Sequence, residues 1–101
     1  MNLTIEVFGG PMDGKKFILS TFPVSLGRSS DNDGEFQFDE FISKRHCTIF
    51  EDKGELYVAD LKSRNGTYLN NKLIKNAEIL NDGDILTIGR TNIKCSIQPS
   101  K

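Results

Sequence analysis

Cys47-Thr48-Ile49-Phe50-Glu51-Asp52-Lys53-Gly54-Glu55-Leu56-Tyr57-Val58-Ala59-Asp60 holds two alternating runs on either side of a Lys53-Gly54 turn signal. Cys47 and Ile49 fall on one parity, and so do Leu56 and Val58. A period of two puts such residues on one face of a strand, whereas a helix needs them three and four apart. The stretch therefore predicts two strands joined by a tight turn.

The same pattern recurs outward in both directions. Leu3, Ile5 and Val7 alternate, as do Phe17 and Leu19, Val24 and Leu26, and Phe36 and Phe38. Beyond the central stretch come Leu86 and Ile88, then Ile93, Cys95 and Ile97. Turn signals separate these runs: Gly9-Gly10-Pro11, Asp13-Gly14, Asp33-Gly34, Asn65-Gly66, Asn70-Asn71 and Asp82-Gly83. Roughly ten short, closely spaced strands predict an all-β fold, an antiparallel sandwich or small barrel. At 101 residues the chain fits one domain. We set its bounds at 1–98, with 99–101 a short tail that is either the end of the fold or the edge of a larger protein.

Composition narrows the function. Apolar residues make up 37%, enough for a core. The formal net charge of −1 supplies no global field to draw nucleic acid or an anionic membrane, so neither is an expected partner. Any anion site must be local. No apolar run approaches the ~18 residues needed to cross a bilayer, and Met1-Asn2-Leu3-Thr4 has neither the basic start nor the long apolar stretch of a signal peptide. Cys47 and Cys95 form no CxxC and lie within strand-like runs. Reduced thiols filling the core, in a cytoplasmic protein, are the expectation.

Three polar segments interrupt the strands: Gly27 to Asp33, Ile42 to His46, and Lys62 to Gly66. On a sandwich, loops carry function because the sheets fix where they stand. Arg28 offers a planar fork of donors suited to phosphate oxygens, and Gly27 before it lets the backbone turn without a Cβ clash. Ser43 adds a hydroxyl donor and Lys44 a charge, while the amide of Asn65 is suited to holding a peptide backbone. Each residue also has a plainer reading. Ser43 alone is equally a turn hydroxyl, Asn65-Gly66 a hairpin turn, and Lys44, Arg45, Lys62 and Arg64 solvated charge. For His46 the plainer reading is preferred: a partly buried ring bracing a loop.

Catalytic readings lack their parts. Ser43, His46 and Asp60 come without a Gly-x-Ser-x-Gly elbow. His46 and Cys47 are sequence neighbours expected on opposite strand faces, which argues against a metal site with Cys95. There is no P-loop and no Gly-x-Gly-x-x-Gly. The chain is expected to be no enzyme and to need no cofactor or metal.

Leu26-Gly27-Arg28, Ser43-Lys44-Arg45-His46 and Asp60-Leu61-Lys62-Ser63-Arg64-Asn65-Gly66-Thr67-Tyr68-Leu69-Asn70, in that order, resemble the signature of forkhead-associated domains. The flanks Gly10-Pro11-x-x-Gly14 and Leu80-x-x-Gly83-Asp84 extend the resemblance over nearly the whole chain. It implies a β-sandwich whose loops at one end grip a phosphothreonine on a partner modified by a Ser/Thr kinase. Carried over by position, Arg28 and Ser43 bind phosphate with Lys44 adjoining, and Asn65 holds the peptide backbone. Arg64 touches phosphate or reads a flanking residue, and Gly27, His46, Gly66 and Asn70 shape the loops. Cys47 stands where the family commonly has Ala, and Asp33-Gly34-Glu35 lengthens the first loop. The alternative within the same fold is a structural domain that packs in an assembly without phosphate.

Overall fold

The computed structural model describes residues 1–99, and the regular elements among them are all strands. In chain order these are β1 (Asn2–Phe8), β2 (Lys16–Leu19), β3 (Val24–Gly27), β4 (Gly34–Glu35), β5 (Cys47–Asp52) and β6 (Glu55–Asp60). They continue with β7 (Thr67–Leu69), β8 (Lys72–Leu73), β9 (Glu78–Leu80), β10 (Ile85–Ile88) and β11 (Thr91–Gln98). One sheet runs β2-β1-β11-β10-β7-β8 and the other β4-β3-β5-β6-β9. The expected sandwich is present. Of the tail set at 99–101, only Pro99 lies among the described residues.

The central stretch folds as its alternation demands. β5 and β6 pair antiparallel, with Ile49 opposite Val58 and Asp52 opposite Glu55. Lys53 and Gly54 turn the chain with φ of 51° and 82°, the two positive values of the hairpin turn whose twist matches its strands. Cys47, Ile49, Leu56 and Val58 face inward and meet Leu3, Ile5, Leu86, Ile88 and Ile93 of the other sheet in one core. Each such side chain contributes ~1.5–3 kcal/mol by leaving water. Both cysteines are free and buried. Burial, with the Asp60 charge adding to it, pushes the Cys47 thiol far above its ordinary value. Burial likewise raises Cys95 to about 12. Neither supplies a thiolate nucleophile near neutral pH.

Two expectations need correction. Phe36 and Phe38 do not form a strand: β4 stops at Glu35, and the Asp39 N–H closes a turn on the Phe36 carbonyl at 3.4 Å. Phe36 is fully buried against Phe17, with ring centres 5.3 Å apart, while Phe38 is 38% exposed. Two apolar residues two positions apart look alike in a strand and in a turn that buries only the first. Asp33-Gly34 does not form a turn between two runs either. Gly34 enters β4, which lies parallel to β3 with Leu26 opposite Gly34, the one parallel pairing among the described strands.

Candidate functional site

The three polar segments meet at one end of the sandwich, laced together by their backbones. Arg28 N–H donates to the Ser43 carbonyl at 3.0 Å and Ser29 N–H to the Lys44 carbonyl at 3.2 Å. Asn32 completes the seam, its Nδ2 donating to the carbonyls of Ser29 (2.8 Å) and Lys44 (2.7 Å). The loops approach so closely that a Cβ on Gly27 would lie 2.2 Å from the Lys44 carbonyl oxygen. Close approach, and not a turn, requires glycine there.

His46 ties the second loop to the third. It is fully buried. Its Nδ1 accepts the Ser43 backbone N–H at 3.0 Å, and its Nε2 lies 2.8 Å from the Gly66 carbonyl. An amide can only donate and a carbonyl only accept, so the two contacts together select the tautomer with hydrogen on Nε2. With both nitrogens occupied, the ring is neither a base for Ser43 nor a metal ligand.

The third loop is built on Asp60. Its carboxylate accepts the Ser63 backbone N–H at 3.0 Å, the Ser63 hydroxyl, and the Thr67 hydroxyl at 2.7 Å. Partial burial pushes its pKa up, but the Ser63 and Thr67 hydrogen bonds, with His46 nearby, outweigh burial and hold the carboxyl below its ordinary value. Gly66 follows with φ of 84°, where a Cβ would also press within 2.5 Å of Leu73. It is a loop residue crossing from one sheet to the other, not the apex of a hairpin, since β6 and β7 belong to different sheets.

This scaffold presents donors around a pocket of about 300 Å³, lined by Arg28, Glu40, Phe41, Ile42, Ser43, Lys44, Arg45 and Arg64. Four cations face one carboxylate on a chain of net charge −1. Of these four cations, only Arg45 makes an ion pair among the described residues, with Asp31 at 3.4 Å, and both groups are well exposed. Arg28 Nε–H donates to the Ile42 carbonyl at 2.9 Å, which orients the guanidinium and leaves its terminal nitrogens unengaged. Ser43 Oγ accepts the Arg64 N–H at 2.9 Å, so the hydroxyl hydrogen stays available as a donor. The Asn65 side chain stands outside the pocket wall, its Nδ2 donating to the Phe41 carbonyl at 2.9 Å.

Thus Arg28, Ser43, Lys44 and Arg64 come together, with Asn65 beside them. Asn70 does not join them. With φ of 49° it turns β7 into β8. Its amide bonds Asp84 at 3.0 Å and the Ile85 N–H at 2.9 Å, bracing β10 and not the ligand loops. Asn32 and Asp39 were not singled out in the sequence. Both are buried polar residues inside polar runs, and the partners that tie them to other segments, 12 and about 50 residues away, give no local signal.

A larger cleft of about 510 Å³ adjoins the pocket across Glu40 and Phe41. Phe8, Phe38 and Arg90 line it, and the Arg90 guanidinium stacks over Phe41, 4.0 Å from the ring centre. It offers one cation over an aromatic floor, so the smaller pocket, with four, is the better anion site.

Residues 24–89 match the sequence profile of the family described as FHA domain. The glycogen accumulation regulator GarA of Mycolicibacterium smegmatis is 38% identical over 81 residues, covering 80% of this chain and 50% of that protein. The oxoglutarate dehydrogenase inhibitor of Corynebacterium glutamicum is 36% identical over 81 residues, covering 80% and 55%. The chain thus spans about half the length of these relatives. Among solved structures, a domain from work on phosphothreonine-dependent FHA domain interactions superposes with a TM-score of 0.86 at 29% identity, covering 99% of this chain and 100% of that one. The kinase-interacting FHA domain of an Arabidopsis kinase-associated protein phosphatase gives 0.85 at 27%, covering 99% and 96%.

Proposed function

Since the chain belongs to the forkhead-associated family, we propose that it is a phosphothreonine-binding module that docks a protein phosphorylated by a Ser/Thr kinase. The observation that carries this reading is the Arg28–Ser43 pocket: a guanidinium held by the Ile42 carbonyl, a hydroxyl with its hydrogen to give, and Lys44 and Arg64 alongside. A phosphothreonine brings about −1.5 to −2 charges and three acceptor oxygens, and charge-assisted bonds from a planar fork answer that demand. Asn65 holds the peptide backbone beside the phosphate, and the adjoining cleft gives flanking residues room. The module binds and does not catalyse, since His46 is committed to structure and Ser43 has no base. The free buried thiols accord with a reducing, cytoplasmic setting.

The test is titration calorimetry with a phosphothreonine peptide taken from an oriented library and with its unphosphorylated twin. Binding of the first alone is expected, weakening as pH falls through the phosphate's second pKa of ~6. Equal affinity for the two peptides would overturn the reading.

A further inference from the structure

We propose that Asp39, in the loop between β4 and β5, is a positioning residue for Arg28 anchored by the β10–β11 turn; the inference rests on the phosphate reading of the Arg28 pocket. Asp39 is 7% exposed and meets no cation in ion-pair reach among the described residues. Its charge is met by hydrogen-bond donors instead. Oδ2 accepts the Arg90 N–H at 2.7 Å and the Thr91 hydroxyl at 2.6 Å, while Oδ1 accepts the Phe41 N–H at 2.9 Å. The Asp39 carbonyl accepts the Ile42 N–H at 3.1 Å. One residue thus fixes the chain from 39 to 42 at both ends and fastens it to a turn about 50 residues away. The Ile42 carbonyl at the end of that segment is the acceptor that orients the Arg28 guanidinium.

The turn is shaped to receive this carboxylate. Gly89 has φ of 59°, and a Cβ there would stand 2.7 Å from Ile42 Cγ1 and 2.8 Å from Asp39 Oδ2. Glycine at 89 therefore lets the turn close over both Asp39 and Ile42. A buried carboxylate satisfied by donors from two distant segments holds them in one relative placement, because losing any donor leaves charge uncompensated. A small displacement of Ile42 then re-aims a guanidinium that must meet phosphate oxygens in a fixed fork. Asp39 touches no ligand in this scheme and acts through Ile42 on Arg28.

Thr91 lies outside the pocket and reports on this linkage. The probe is N-acetyl-phosphothreonine N-methylamide, titrated by NMR into wild type, Thr91→Val, Thr91→Ser and Arg28→Lys, and into the double variant Thr91→Val/Arg28→Lys, with thermal melts confirming folding. Thr91→Val removes one donor to Asp39 at nearly constant volume. It is expected to weaken the probe about fivefold, and Thr91→Ser to bind like wild type. In the Arg28→Lys background, where no Nε–H reaches Ile42, Thr91→Val is expected to add nothing. Hydrogen exchange at Arg28 Nε–H in the ligand-free protein should be slow in wild type and Thr91→Ser and faster in Thr91→Val. An equal loss in both backgrounds, no loss in either, or unchanged exchange would overturn the proposal. The exchange measurement needs no ligand, and Arg28→Ala binding the probe like wild type would sink the phosphate reading separately.

Discussion

The Ser43 hydroxyl accepts the Arg64 backbone N–H at 2.9 Å, so the residue assigned to the phosphate also clasps two loops 21 positions apart. The motif alone suggests a hydroxyl facing solvent until ligand arrives, with little bearing on stability. The clasp changes that. Ser43→Ala is expected to cost ~0.5–1.5 kcal/mol of stability, the usual net worth of one hydrogen bond, and a few degrees of melting temperature. Phosphopeptide affinity should fall roughly tenfold or more, because a bond to a charged group contributes ~1.5–3 kcal/mol. Thermal melts and peptide titration on the same preparation check both; unchanged affinity would remove Ser43 from the site.

His46→Ala acts on the scaffold. It strands the Ser43 N–H and the Gly66 carbonyl and empties a fully buried ring site. Two unsatisfied groups at ~1–3 kcal/mol each give a loss of at least ~2 kcal/mol, a fall in melting temperature larger than that of Ser43→Ala. Affinity falls as the loops loosen. A variant that melts like wild type yet fails to bind would make His46 a ligand contact.

Acid should loosen the third loop before the core. Asp60 has its carboxyl held below the ordinary value by Ser63 and Thr67, against the opposing effect of burial. A depressed folded value means the unfolded chain takes up the proton first. The contribution is therefore complete above the unfolded pKa of ~3.9 and is lost as pH falls through the folded value. Melting curves between pH 6 and 3 should show the gap between wild type and Asp60→Asn narrowing below pH ~4. A gap that stays constant would mean the Ser63 and Thr67 bonds do not favour the ionised form.

What was legible in the sequence followed from local periodicity and from chemistry adjacent in the chain. The β5–β6 hairpin shows in four apolar residues and a Lys-Gly pair, and Arg28, Ser43 and Asn65 in motifs only a few residues long. What was hidden depends on contacts between distant positions. Asn32 and Asp39 are polar residues in polar loops until the fold buries them, and nothing near them in sequence names Lys44 or Thr91 as a partner. The alternation of Phe36 and Phe38 misled because the chain turns after burying the first ring. The motif marks Asn70 as a residue that shapes loops, but not which one: it braces the β7–β8 turn against Asp84 and Ile85.

The most direct measurement is the affinity of one phosphothreonine peptide for wild type and for Arg28→Ala, taken by titration calorimetry with melts of both proteins. Arg28 buries little core surface, so the fold should survive its loss. Removing one partner of a desolvated charged contact costs about 2–5 kcal/mol, so affinity is predicted to fall at least ~30-fold while the unphosphorylated peptide stays unbound by either protein. If Arg28→Ala binds the phosphopeptide nearly as well as wild type, the phosphate is held elsewhere and the account of this pocket is wrong.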